Sequence, residues 1–130
     1  MAKKIFIIED DANILYALQA KLSVLGFEVE TNAGSDEIPE IIKRIKIQKS
    51  DYLICDLLLP KIDGFKLLES LKSDRETSEI PTFIFTNLSD HESREKSERL
   101  GANYFFVKNE FILDDFVEKV RKIISNLEKI

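Results

Sequence analysis

Residues 52–64 read YLICDLLLPKIDG. Six apolar side chains and a cysteine are interrupted by one carboxylate, Asp56, just before a proline turn. An ionised carboxylate beside apolar neighbours is costly unless something pairs with it, so its partner should report on function. The run before it, Tyr52 to Cys55, is apolar throughout and bounded by turn residues, which is how a strand buried on both faces reads.

The same kind of run recurs outward from this stretch. Strands are expected at Lys4 to Ile8, Phe27 to Thr31, Thr82 to Phe85 and Tyr104 to Val107. Only FEVET, at 27–31, alternates apolar and polar residues, which places it at a sheet edge. Longer amphipathic segments separate the runs, with helices expected near 12–25, 36–48, 64–73, 90–100 and 112–128. Repeated βα units of this kind predict an α/β fold, a doubly wound (βα)5 flavodoxin-like three-layer sandwich with a parallel sheet. Its expected strand order is the common 2-1-3-4-5. Residues 1–130 are expected to form one domain, since no linker, repeat or low-complexity segment divides them.

The helices carry their own punctuation. The first has Ile14, Leu15, Leu18, Leu22 and Leu25 at helical spacing and Gly26 where a C-terminal cap belongs. The second is expected to start at Ser35 or Asp36, with Pro39 inside the first turn. The last repeats Phe116, Val120, Ile123, Ile124 and Leu127 on one face. The fourth, DHESREKSER, has no strongly apolar residue before Leu100, so it has little to bury. Ser89 and Glu92 have capping-box spacing, and Asp90/Arg94, Glu92/Lys96 and Glu95/Arg99 are acid-first pairs four apart. Such a helix is either a solvated surface element or one able to shift when its neighbours change.

Composition narrows the class. Hydrophobic residues make up 44% and charged residues 33%, with four glycines and three prolines, the profile of a folded globular chain. The formal net charge of -5 argues against direct contact with nucleic acid or an anionic membrane and favours a cation or a basic protein surface. A single cysteine, Cys55, excludes an internal disulfide and a multi-cysteine zinc site, and fits a reducing compartment. No apolar stretch has the length of a signal peptide or membrane span, so the expected location is cytoplasmic.

The polar residues fall at the strand ends: Glu9, Asp10 and Asp11 after the first, Asp56 after the third, Thr86 after the fourth and Lys108 after the fifth. In an open parallel sheet these ends lie on one side, and ligands bind where strand order reverses, between the first and third strands. Glu9, Asp10 and Asp56 should meet there, with Thr86 and Lys108 on the flank. Carboxylates so close either raise their pKa values or take a cation between them, and hard oxygen ligands suit Mg²⁺ or the similar Mn²⁺. Magnesium keeps positions open for phosphate oxygens, while a lysine and a hydroxyl add charge and a hydrogen bond for a transferring phosphoryl group. Asp56 is the best placed nucleophile. Any one of these residues alone is more often a cap, a loop acid or a surface lysine; four strand ends agreeing is what favours a site. Cys55 reads as a small buried residue with only Lys108 as a cation near it, lone His91 as exposed, and Lys43, Arg44, Lys46 and Lys49 as the solvated face of the second helix.

These residues resemble the receiver domain of two-component response regulators over essentially the whole chain. IFIIEDD resembles the family's opening strand and acidic pair, YLICDLLLPKIDG its phosphoacceptor segment, IPTFIFT the strand with the switch hydroxyl, and GANYFFVK the strand with the lysine. The resemblance implies that Asp56 accepts the phosphoryl group, that Asp10 binds Mg²⁺ directly and Glu9 through a metal-bound water, and that the backbone carbonyl of Leu58 completes the metal site. It further implies that Thr86 and Lys108 hold phosphoryl oxygens and that Phe105 is the aromatic switch residue. Leu58 and Leu88, each two residues past a site residue, occupy positions that flank the path of the hydrolytic water, and two leucines there predict slow dephosphorylation.

The chain departs from the family pattern at Asn109, where proline usually follows the lysine, at Asn87, where a small residue is common after the hydroxyl, and at Phe105, which lacks the hydroxyl of the frequent tyrosine. The implied donor is a sensor histidine kinase or a phosphotransfer protein. The implied output is a changed surface of the fourth helix, fifth strand and fifth helix, used to bind an unidentified downstream protein, with a homodimer through that face as a further expectation. It would not be an enzyme beyond catalysing its own phosphorylation and dephosphorylation. The nearest alternative is a degenerate receiver acting as a phosphorylation-independent interaction module. A phosphatase of the aspartate-nucleophile type would carry an acid where Leu58 stands, and a flavodoxin-like electron carrier needs a hydroxyl- and glycine-rich loop where EDDAN stands.

Overall fold

The computed structural model describes residues 2–129. Strands β1 (Lys4–Ile8), β2 (Glu28–Asn32), β3 (Tyr52–Cys55), β4 (Thr82–Thr86) and β5 (Tyr104–Val107) form a parallel sheet in the order β2-β1-β3-β4-β5. The alternating strand β2 is at an edge, as its pattern requires. It begins one residue later than the sequence suggests, because Phe27 still belongs to the preceding helix end: its N–H donates to the Leu22 carbonyl at 3.2 Å.

Successive residues of each strand supply opposite faces of the sheet. Ile5, Ile7, Ile54, Phe83 and Phe85 pack under α1 (Ala12–Val24) and α5 (Leu113–Leu127). Phe6, Ile8, Leu53, Cys55 and Ile84 pack under α2 (Ile38–Gln48) and α3 (Gly64–Ser73). Both faces are covered, which explains why the central strands read as continuous apolar runs. Val117 joins Phe116, Val120 and Ile124 in the buried stripe of α5, whereas Leu127 and Leu25 stand 45% and 44% exposed at helix ends, off the faces the sequence assigned them.

Asp11 caps α1 by accepting from the N–H groups of Asn13 (2.9 Å) and Ile14 (3.2 Å), and Gly26 follows that helix at φ +96. The N-cap of α2 is Glu37, not Ser35 or Asp36; the Asp36 carboxylate is taken by the side-chain amide of Asn32 at 2.9 Å. Pro39 does sit in the first turn.

The polar helix α4 (His91–Arg99) buries only Ser97. Its cap is Asp90, which accepts from Ser93 N at 3.0 Å, so the Ser89/Glu92 box does not form. Asp90 is thereby unavailable to Arg94, which pairs instead with Glu98 at 3.2 Å. Exposed His91 faces Glu95 at 3.2 Å, and none of the three acid-first pairs forms among the described residues. No described helix is long and apolar enough to cross a membrane.

Candidate functional site

Register delivers the polar strand ends to one place. Ile8 of β1 lies opposite Cys55 of β3, and the ladder runs one step further, with Asp56 N donating to the Ile8 carbonyl at 3.0 Å. Glu9 and Asp56 therefore leave the sheet at the same level. Thr86 lies opposite Val107, so Lys108 begins the turn just past it, in a short 3-10 helix over Lys108–Glu110.

The partner of Asp56 is Lys108. Its Nζ lies 2.7 Å from Asp56 Oδ2 and 2.7 Å from Glu9 Oε1, with side-chain exposures of 10%, 4% and 2% for the lysine, Asp56 and Glu9. One ammonium thus answers two buried carboxylates, which is the pairing their burial demands. Burial pushes the Glu9 carboxyl above the usual range even though Lys108 and the Asp11 N–H, which donates to Glu9 Oε2 at 3.0 Å, both favour its charged form. For Lys108, burial favours the neutral amine, but the hydrogen bonds to Asp56 and Glu9 outweigh it and hold the pKa above the ordinary lysine value.

Asp10 is exposed beside this buried pair. Glu9, Asp10 and Asp56 each offer a carboxylate oxygen, all within 4.8 Å of one another. Opposed ligands of a Mg²⁺ ion held at about 2.1 Å lie about 4.2 Å apart, so this all-oxygen cluster fits such an ion with small side-chain adjustment. The donor set is hard and acidic, with one wall open to solvent.

The loop after Asp56 is fixed by two features. Leu58 N donates to Asp56 Oδ1 at 3.0 Å, folding the loop back on the carboxylate, and Asp63 caps α3 through Phe65 N (2.9 Å) and Lys66 N (3.3 Å). Between them, buried Gly64 lies directly against the Leu57 backbone: a Cβ there would stand 2.5 Å from Leu57 Cα and 2.7 Å from its carbonyl carbon. Only glycine allows that approach.

Thr86 is fully buried, and its Oγ1 accepts from Leu88 N at 3.3 Å. Leu88 packs against the α2/α3 side of the core, while Leu58 is 49% exposed. Phe105, opposite Ile84, is half-buried on the same side, with the Arg94 guanidinium 5.5 Å from its ring centre. Glu9, Asp10, Asp56 and Lys108 are thus brought together, with Thr86 and Leu88 on the neighbouring strand end and Phe105 further back along β5. The two departures Asn87 and Asn109 are themselves joined: Asn109 N donates to Asn87 Oδ1 at 3.2 Å, and every described peptide bond, including that after Lys108, is trans.

Burial pushes the Cys55 thiol up to about 12, as expected of an inert residue, but the cation felt there is Lys72 rather than Lys108. Lys72 Nζ donates to Ile80 O (2.8 Å), Ser78 O (3.3 Å) and Asn103 Oδ1 (3.3 Å). Two basic side chains of α2 are paired at the surface, Lys46 with Asp74 at 2.7 Å and Arg44 with Glu30 at 3.8 Å. Gly64, Asn87 and Lys72 carry roles the sequence reading did not assign. Gly64 alone had a local signal, since an Asp-Gly pair opening a helix invites the question of what touches the missing Cβ.

An open α/β sheet with an acidic trio, a lysine and a hydroxyl at its carboxyl edge is the signature of a signalling receiver. The profile of the response regulator receiver domain matches residues 5–121, and the chain belongs to that family. It is 31% identical over 127 residues to the probable transcriptional regulator ycf27 of Porphyridium aerugineum, covering 98% of this chain and 50% of the relative. With the DNA-binding dual master transcriptional regulator RpaA of Synechocystis it shares 28% identity over 127 residues, 98% of this chain and 51% of the relative. The chain thus spans about half the length of the curated relatives it matches. Among solved structures, it resembles a CheY-like receiver domain protein from Methanospirillum hungatei at TM-score 0.84 and 26% identity, covering 98% of each chain. A putative response regulator from Chloroflexus aurantiacus matches at TM-score 0.81 and 28% identity, over 96% of this chain and 99% of that one.

Proposed function

We propose that this receiver takes a phosphoryl group on Asp56 from the phosphohistidine of a sensor kinase or phosphotransfer protein and passes the signal on by binding. The observation that carries the reading is the Lys108 ammonium bridging Asp56 and Glu9 beside exposed Asp10. Asp56 Oδ2 already lies on a cation, and its Oδ1 on the Leu58 N–H, so the carboxylate is held in one orientation at the sheet edge. In the transfer, an Asp56 oxygen attacks phosphorus, a P–O bond forms as the P–N bond to the donor imidazole breaks, and the imidazole, already protonated on its other ring nitrogen, leaves as the neutral base. Lys108 stays beside the charge that builds on the phosphoryl oxygens. The Thr86 hydroxyl, at the next strand end, gives up its contact with Leu88 N to donate to one of them. Glu9, Asp10 and Asp56, with the Leu58 carbonyl, would hold Mg²⁺, which when bound neutralises phosphoryl charge.

Thr86 moving toward the phosphoryl group frees space on the Phe105 side of β4 and β5, and that ring, lacking a hydroxyl, responds by packing alone. Half-exposed Leu58 and packed Leu88 shield the acyl phosphate from water and lengthen its life. The protein performs no turnover beyond its own phosphorylation and dephosphorylation. Any contact with nucleic acid in a longer regulator would be made outside the matched half, given the net charge of -5 here. Incubation with Mg²⁺ and acetyl phosphate, followed by intact mass measurement, tests the reading. A gain of one phosphoryl group, absent in Asp56→Asn and in EDTA, is expected; no adduct on the wild type would instead support the degenerate, phosphorylation-independent module.

A further inference from the structure

Helix α4 raises a physical question: what holds it on the body? A helix is normally anchored by an apolar stripe, yet α4 buries only the small Ser97, whose hydroxyl turns back to the Arg94 carbonyl at 2.8 Å. Two of its cations instead lie over aromatic rings of neighbouring elements. Arg94 sits 5.5 Å from the centre of the Phe105 ring on β5, and Lys96 Nζ sits 4.4 Å from the centre of the Phe65 ring at the start of α3. Both distances are within the range in which the ring quadrupole attracts a cation.

The C-terminal end of the helix is tied differently. Leu100 and Ala102 pack against the core, Gly101 takes φ +106, and the Lys72 stem lies beneath it, 2.8 Å from where a Gly101 Cβ would be. Lys72 also binds Asn103 Oδ1, which accepts Thr82 N at 2.8 Å, so the turn after α4 is fastened to α3 and β4. At the N-terminal end, only Asn87 to Asp90 separate the helix from Thr86. The helix therefore has a fixed heel at residues 100–103, two cationic staples along its body, and a toe linked through Asn87–Asp90 to the strand that ends in the switch hydroxyl.

We infer that Arg94 and Lys96 are positioning residues whose contacts with Phe105 and Phe65 hold α4 in its resting place, so that they set how readily Asp56 is phosphorylated. The inference rests on the proposed phosphoryl transfer for its coupling, but not for the attachment itself. One staple grips the switch residue Phe105, so turning that ring loosens the helix, and a loosened helix makes the turn easier. Coupling of this kind is reciprocal: whatever weakens the resting position favours the phosphorylated state by the same factor. Two exposed cation–π contacts at the low end of their range together correspond to about a fivefold shift.

The test is hydrogen exchange of α4 amides in unphosphorylated wild type and in the Arg94→Gln/Lys96→Gln variant, alongside the level of phosphorylation reached with acetyl phosphate and Mg²⁺. Both side chains are exposed, so the variant should fold. Exchange in α4 is expected to rise about fivefold without change in α1 or α5, and the ratio of phosphorylated to free protein to rise by a similar factor. Arg94→Lys, which keeps a cation, should retain most of the wild-type behaviour, and Glu98→Gln, which removes only the Arg94–Glu98 pair, should match wild type. Unchanged exchange in the double variant, or a Glu98→Gln protein that behaves like it, overturns the inference. Faster α4 exchange with an unaltered phosphorylation ratio overturns the coupling. If wild type takes no phosphoryl group, the proposed function fails, while the exchange comparison still decides whether the staples hold the helix.

Discussion

Replacing Lys108 with methionine nearly keeps the length of the side chain and removes the charge lying 2.7 Å from both Glu9 Oε1 and Asp56 Oδ2. Breaking a buried ion pair from one side leaves an uncompensated charge at a cost of about 3–5 kcal/mol; Asp10 opens this site to solvent, so about 3 kcal/mol is expected near neutral pH without metal. The loss has a defined pH dependence. Burial already holds the Glu9 carboxyl above the usual range, and the variant loses the ammonium that opposes that shift. A carboxyl raised in the folded state binds more protons folded than unfolded. Stability is therefore lost as pH rises from the unfolded value, about 4.3, through the folded one, and is regained on acidification. Urea unfolding from about pH 5 to pH 8 should show the gap between wild type and variant widening with pH. Added Mg²⁺, which would bind only the folded site, should restore more stability to the variant than to wild type. Equal urea midpoints near neutral pH, or a gap that grows on acidification, would refute the assignment of Lys108 as the counter-charge.

Three further outcomes follow from the same geometry. Gly64→Ala places a methyl group 2.5 Å from Leu57 Cα, so urea unfolding should show a loss of about 1–3 kcal/mol, and the displaced loop should slow phosphorylation by acetyl phosphate. Leu58→Asn with Leu88→Gln should speed loss of the phosphoryl group by about tenfold, since hydrogen bonds would then hold a water at the acyl phosphate; an unchanged lifetime refutes the shielding role. Cys55, with its thiol pushed up to about 12 by burial, should resist iodoacetamide in the native protein and react fully in urea, as intact mass would report.

Much of this was legible in the sequence because the sheet enforces it. Continuous apolar runs gave the central strands, the alternation of FEVET gave the edge, and polar residues at successive strand ends gave Glu9, Asp10, Asp56, Thr86 and Lys108. What was not legible depends on contacts between residues distant in the chain. Three helix-cap or pairing expectations failed because side chains had competing partners: Asp36 went to Asn32, Asp90 to Ser93 N, and Arg94 to Glu98. Gly64 and Lys72 act through backbone approached in space, and the Asn87–Asn109 bond joins two loops far apart in sequence. The weak attachment of α4 could be read from its composition, but the rings under Arg94 and Lys96 could not, since Phe65 and Phe105 belong to other elements.

The proposed function stands or falls on Asp56 receiving the phosphoryl group. Borohydride reduces an acyl phosphate to an alcohol, so treating the acetyl phosphate-loaded protein with borohydride and sequencing its peptides by mass reads the site directly. One converted residue is expected, homoserine in place of Asp56, lost when Mg²⁺ is chelated. Conversion at Glu9, Asp10 or another carboxylate, with Asp56 intact, would contradict it.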